Sequence, residues 1–193
     1  DSIDYTNCSD EGDASTSKIT IGGVNYTEDT APIINGGSLV ITGNIKEIKV
    51  GATTIVCRIT GIQIPKSTCD LPKNLTDDTH TITYGDGKTL SFVMDKTSPK
   101  IETSDINTSP TNKVEFTVTI TDENLEEVTQ IRKECKIEED KEKNKKYACA
   151  ITENGKYSFS AIDKADNTAT KDIKISNITS EKPSVILNID NEA

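Results

Sequence analysis

There is no tryptophan in this chain of 193 residues, one histidine, one methionine and only 4% aromatic residues. A histidine-built metal site or catalytic dyad can therefore have one His member at most. Positive charge is in deficit too: 22 Lys and Arg stand against 32 Asp and Glu, a net charge of −10. Such a chain cannot neutralise a phosphate backbone, and an anionic bilayer surface repels it, so no nucleic acid partner is expected. No apolar run approaches the roughly 20 residues of a spanning helix, so no membrane insertion of this segment is expected either. No signal-peptide pattern opens the chain, which leaves a removed leader or a fragment of a longer protein. No serine sits in G-x-S-x-G, and Asp77-Asp78-Thr79-His80 lacks a nucleophile context, so the reading is not an enzyme.

What is present is a repeat at a spacing of about 80 residues. Thr30-Ala31-Pro32 is echoed by Thr108-Ser109-Pro110, and Ser38–Gly43 by Phe116–Asp122. Asn44-Ile45-Lys46-Glu47-Ile48 is matched by Asn124-Leu125-Glu126-Glu127-Val128. Each copy then carries two cysteines and closes with a strand, a polar turn and another strand: Thr81–Tyr84 with Gly85-Asp86-Gly87, then Tyr157–Ser160 with Asp163–Asn167. Ordered features at one offset indicate duplication. The expected organisation is a polar leader or linker at 1–15, one domain at 16–97, a second at 98–182, and an extra strand at 183–193. That last segment, Ser184-Val185-Ile186-Leu187-Asn188-Ile189-Asp190, cannot fold alone. It opens a further domain, or it is donated to the open sheet edge of a neighbouring copy.

The segments are short, rich in Ile, Val and Thr, and broken every 8–12 residues by Gly, Asn, Asp or Pro, which is the pattern of an all-β sandwich. Val114-Glu115-Phe116-Thr117-Val118-Thr119-Ile120 alternates apolar and polar residues, one face for a core and one for water. Gly85 and Gly87 supply positions for the left-handed backbone of a hairpin turn. The densely charged stretch 134–146 reads as a solvated hairpin tip or loop rather than a helix. Modules of about 80 residues with few aromatics have thin cores. Bridges Cys57–Cys69 and Cys135–Cys149 would each close a loop of roughly 13–15 residues, worth about 3 kcal/mol in the chain-entropy picture. Free thiols or a zinc site are the competing reading, against which stands the lack of any C-x-x-C spacing. Cys8 is left over. Two disulfides imply an oxidising, extracellular or cell-surface location. Five N-x-[ST] tripeptides, at Asn7, Asn25, Asn74, Asn107 and Asn177, are possible glycosylation sites and also arise by chance in a chain of this composition.

The run Thr119-Ile120-Thr121-Asp122-Glu123-Asn124-Leu125-Glu126-Glu127-Val128, followed by Gly155–Asn167, resembles the bacterial immunoglobulin-like (Big-type) repeat. There the penultimate strand runs into an Asp-Lys-Ala-Gly-Asn turn, matched here by Asp163-Lys164-Ala165-Asp166-Asn167 with Asp166 in place of the usual Gly. Asp95-Lys96-Thr97-Ser98-Pro99 resembles the junction between such repeats. The likeness covers the second module well and the first loosely, and the cysteine pairs depart from most members. It implies tandem immunoglobulin-like antiparallel β-sandwiches, each with an intradomain disulfide, in a surface protein such as an adhesin, an S-layer protein or an appendage subunit. The expected partners are neighbouring copies or adjacent domains, with a host or cell-surface ligand as the alternative, contacted through the 134–146 loop. No cofactor is expected. Calcium at Asp95, Asp163, Asp166 and Asn167 is the sharpest chemical candidate, because hard cations seek clustered oxygens; against it, Asp and Asn also simply suit turns.

Overall fold

A computed structural model describes residues 18–179. Among them there is no helix, and the chain divides at Lys96/Thr97 into two compact units.

The first unit holds β1 (Ile19–Ile21), β2 (Val24–Asn25), β3 (Ile33–Ile34), β4 (Ser38–Thr42), β5 (Glu47–Val50), β6 (Thr53–Val56), β7 (Arg58–Thr60), β8 (Lys66–Asp70), β9 (Asp78–Tyr84) and β10 (Lys88–Met94). They form two sheets, ordered β2-β1-β4-β8-β7 and β3-β10-β9-β5-β6. Period-2 alternation sends Ile21, Leu39 and Cys69 of one sheet and Ile48, Val50, Ile82, Leu90, Phe92 and Met94 of the other into a single buried cluster. A pair of glycines permits the entry into this unit. A Cβ on Gly22 would lie 2.7 Å from the Gly36 carbonyl oxygen, and one on Gly37 would lie 2.9 Å from the Gly22 Cα.

The second unit holds β11 (Lys100–Thr103), β12 (Val114–Thr121), β13 (Leu125–Gln130), β14 (Cys135–Lys141), β15 (Asn144–Ile151), β16 (Gly155–Asp163) and β17 (Thr168–Ile175). Its sheets are ordered β11-β12-β15-β14 and β13-β16-β17. The alternation read from Val114–Ile120 is realised: Val114, Phe116, Val118 and Ile120 point into a core shared with Tyr147, Cys149, Ile151, Tyr157, Phe159 and Ile175. Phe116 and Phe159 meet edge to face at 6.3 Å.

The two units repeat one strand order. β1-β4-β8-β7 corresponds to β11-β12-β15-β14, and β10-β9-β5 to β17-β16-β13. The sequence echo Pro32/Pro110 also has a structural counterpart. Ile33, after Pro32, pairs in parallel with Val93 at the end of the last strand, and Thr111, after Pro110, pairs in parallel with Ile178 beyond β17. Each unit is therefore a sandwich-like pair of sheets about one core. The polar segment 1–15, Cys8 and the strand expected at 184–190 lie outside the described residues.

Candidate functional site: two stapled sheet edges

The cysteine pairs close hairpins. Cys57 bonds Cys69 and Cys135 bonds Cys149. In the second unit Cys135 and Cys149 are register partners on β14 and β15. In the first, Arg58 is opposite Thr68, so Cys57 and Cys69 stand opposite one step earlier. The Cα separations, 4.3 and 3.9 Å, are those of directly opposed residues on neighbouring strands. Each bridge thus lies within one sheet and ties its edge strand, β7 or β14, to the next strand inward. Both inner cysteines are buried and pack in the cores.

The edges so fixed carry opposite surfaces. The stretch 134–146, expected as a loop or hairpin tip, is a strand hairpin along most of its length: β14, a turn, and β15. Its charges pair with one another. Lys146 meets Glu138 at 3.1 Å, Lys145 pairs with Asp140, and Lys141 with Glu139. At the tip Lys143 meets Glu123 at 2.5 Å and Lys164 meets Glu142 at 3.4 Å. The Glu123 hydrogen bond, and then its charge, hold the Lys143 ammonium above its ordinary pKa. The corresponding edge in the first unit is apolar. Ile59 is 39% exposed on β7, Ile62 102% and Ile64 74% just after it, and Val56, at the end of β6, 81%. Only two other large aliphatics among the described residues are so exposed, Val24 and Ile137.

Of the four calcium candidates, Asp163, Asp166 and Asn167 lie on one turn. Asp163 is wholly buried at the end of β16. Its Oδ1 accepts the Ala165 and Asn167 backbone N–H groups, each at 2.8 Å, and its Oδ2 accepts Asn167 Nδ2 at 2.8 Å. Asp166 supplies the turn's left-handed residue, φ 65°, where the resembled repeats carry Gly. Asp163, Asp166 and Asn167 are thus brought together as the bracing of one turn. Asp95 is a buried residue of the first unit, its N–H donating to the Ile34 carbonyl at 2.8 Å.

Asn25, Asn74 and Asn107 are exposed. Asn177 is half-buried, and its Nδ2 donates to the Asn107 and Ser109 carbonyls at 2.9 and 2.7 Å, tying the exit of β17 to the segment before β12. Asn7 lies outside the described residues. His80 is in β9, its Nε2 2.8 Å from the Thr76 carbonyl and its ring 5.5 Å from that of Phe92.

One feature escaped sequence reasoning: an open cleft of about 520 Å³ in the first unit, lined by Ile19, Tyr26, Glu28, Tyr84, Lys88 and Leu90. Burial, and then the neighbouring Tyr26 and Glu28, raise the Tyr84 phenol above its ordinary pKa. The two tyrosines are 58 positions apart in the chain, and no local pattern joins them.

No family model matches the chain, and no curated protein matches it. A solved structure with which it can be aligned is the Bacteroides ovatus mixed-linkage glucan utilization locus protein SGBP-B in complex with a mixed-linkage heptasaccharide. The alignment has a TM-score of 0.29 and 14% identity, over 76% of this chain and 43% of that one. The chain therefore spans less than half of that protein's length.

Proposed function

We propose that this chain is a non-enzymatic, load-bearing segment of an extracellular surface array, built from tandem immunoglobulin-like domains of the bacterial repeat kind. The strand orders support the fold reading. With β11 to β17 lettered A to G, the two sheets are A-B-E-D and C-F-G, the arrangement of a seven-stranded immunoglobulin constant-type domain. The disulfide differs from that of antibody domains, which joins strands B and F across the sandwich. Here it joins D and E within a sheet. The bridges also fit an oxidising compartment.

The observation that carries the proposal is the recurrence of one stapled hairpin at the same topological place in both units. A bridge at a sheet edge withholds its hairpin from extension when the unit is pulled open. Force spectroscopy on the whole chain tests this. Two unfolding steps are expected, and reduction should lengthen each by about 40–50 Å, the contour of the sequence separations of 12 and 14 that the bridges span. Step lengths indifferent to reductant would refute the load-bearing reading.

A second reading, a ligand-binding module, draws on the Tyr26–Tyr84 cleft rather than on the 134–146 hairpin, most of whose charges are engaged in ion pairs. Pockets of this volume suit small ligands. With no tryptophan in the chain, tyrosine emission reports occupancy directly. Saturable quenching by a soluble polysaccharide, lost in Tyr84→Ala, would favour this reading over the mechanical one.

A further inference from the structure

The apolar edge of the first unit has no explanation in its own fold. Ile59 on β7 and Ile62 and Ile64 just after it are turned to water, and β7 ends its sheet; Val56, also exposed, closes β6 two residues before it. Exposed edges invite pairing with another chain, and proteins blunt them with charge. The equivalent β14 edge is blunted in that way, with Lys136, Glu138, Glu139, Asp140 and Lys141 on one strand. The β7 edge is not. From Val56 to Lys66 it carries Arg58 and Lys66 and no acid, in a chain of net charge −10. A patch that is apolar and positive selects a partner that is apolar and negative.

The chain contains such a partner. Residues 184–190 are Ser-Val-Ile-Leu-Asn-Ile-Asp, followed by Asn191 and Glu192. In an extended strand Val185, Leu187 and Ile189 share one face, and the acids Asp190 and Glu192 lie at its end. The strand begins five residues past Thr179, a tether of roughly 17 Å when extended. We propose that the β7 edge receives residues 184–190 of a second copy as an added strand, with backbone bonds giving affinity and the apolar face and terminal acids giving register. This names the contact by which neighbouring segments of the array join, and so rests on the array reading, although its test does not.

Complementation in the full-length chain decides it. Ile62→Glu/Ile64→Glu spoils the acceptor and Val185→Asp/Leu187→Asp spoils the donor. Wild-type chains should associate open-endedly as concentration rises in sedimentation velocity. Each variant alone should stay monomeric, with an unchanged melting temperature. Mixed one to one, they should form a discrete heterodimer, since one intact donor and one intact acceptor remain. Should the double glutamate impair folding, Arg58→Glu/Lys66→Glu serves instead: association should weaken at least tenfold and recover with Asp190→Lys/Glu192→Lys.

A mixture that stays monomeric overturns the proposal. So does donor-spoiled protein that still polymerises, which would mean edge-to-edge pairing. So does wild-type protein that is monomeric at every concentration, which would mean that the segment is not exchanged between copies. None of these outcomes alters the reductant-sensitive step lengths that test the array, so the two readings fail separately.

Discussion

The two units share a strand order and a stapled hairpin, yet they differ in what surrounds each. At the hairpin, the first unit has a three-residue edge strand with exposed aliphatics, and the second a seven-residue strand laced with ion pairs. At the last turn, the first unit uses Gly85 and Gly87 at φ 52° and 84°, and the second a buried Asp163 that ties down Ala165 and Asn167. The inward place at the end of the penultimate strand is Tyr84 in one and Asp163 in the other, and Tyr84 borders a cleft. The two units share the parts that make a sheet pair and differ at the edges. An edge is where a change alters partners without costing the core.

The sharpest test of the shared part is the core itself. Phe92 and Phe159 are both wholly buried, so truncation to alanine should cost about 3–5 kcal/mol in either unit. Each also loses one ring contact, Phe159 with Phe116 edge to face and Phe92 with the tilted ring of His80, so the two costs should agree to within about 1 kcal/mol. Urea unfolding of the two variants measures the gap. A wider gap in either direction would break the equivalence of the cores.

Removing the bridges comes next. Cys57→Ala/Cys69→Ala and Cys135→Ala/Cys149→Ala should each cost about 3 kcal/mol. The local consequences should differ. β7 has three register pairs with β8, whereas β14 keeps a longer ladder with β15 and its ion pairs. Limited proteolysis should therefore open residues 58–66 in the first variant and spare 135–149 in the second. Equal cleavage would show that the ladder adds no protection. The turns give a smaller contrast. Asp163→Ala should cost about 2–3 kcal/mol by orphaning backbone donors of the turn. Asp86→Ala, between the two glycines, should stay within about 0.5 kcal/mol in the same thermal melt.

Much of this architecture could be read from the chain. Period-2 runs such as Val114–Ile120 announce a strand because one face must be dry, and the cysteine spacing announces a closed loop because a thin core needs a cross-link. The Asp163–Asn167 turn was legible through the motif it resembles. The rest was not. Whether 134–146 is loop or ladder depends on charges meeting across strands, Lys146 with Glu138 and Lys145 with Asp140, which sequence order does not pair. Exposure of Ile62 and Ile64 contradicts their composition, since apolar residues read as core until a sheet ends beside them. The Tyr26–Tyr84 cleft joins strands far apart in the chain and leaves no periodic trace.

The smallest expected effect is the response to alkali, and it again separates the units. Burial is the leading cause that raises the phenol pKa of Tyr84 in the first unit and of Tyr147 and Tyr157 in the second. An acid whose folded pKa is raised stays neutral in the fold after it would ionise in the open chain. The stability is therefore intact below 10.0, the ordinary phenol value, and is lost as pH rises through the folded values. Two such phenols in one unit against one in the other make the second unit the more alkali-sensitive. Tyr147→Phe should flatten its decline above pH 10 without moving its melting temperature at pH 7. Tyr157→Phe is the less clean probe, because its hydroxyl donates to the Glu153 carbonyl at 2.7 Å and that bond would go as well. Melting temperatures followed from pH 8 to 11, with hydrogen exchange assigning each loss to its unit, would show the ordering. A steeper decline in the first unit would mean that the open cleft around Tyr84, rather than the buried phenols, governs the response.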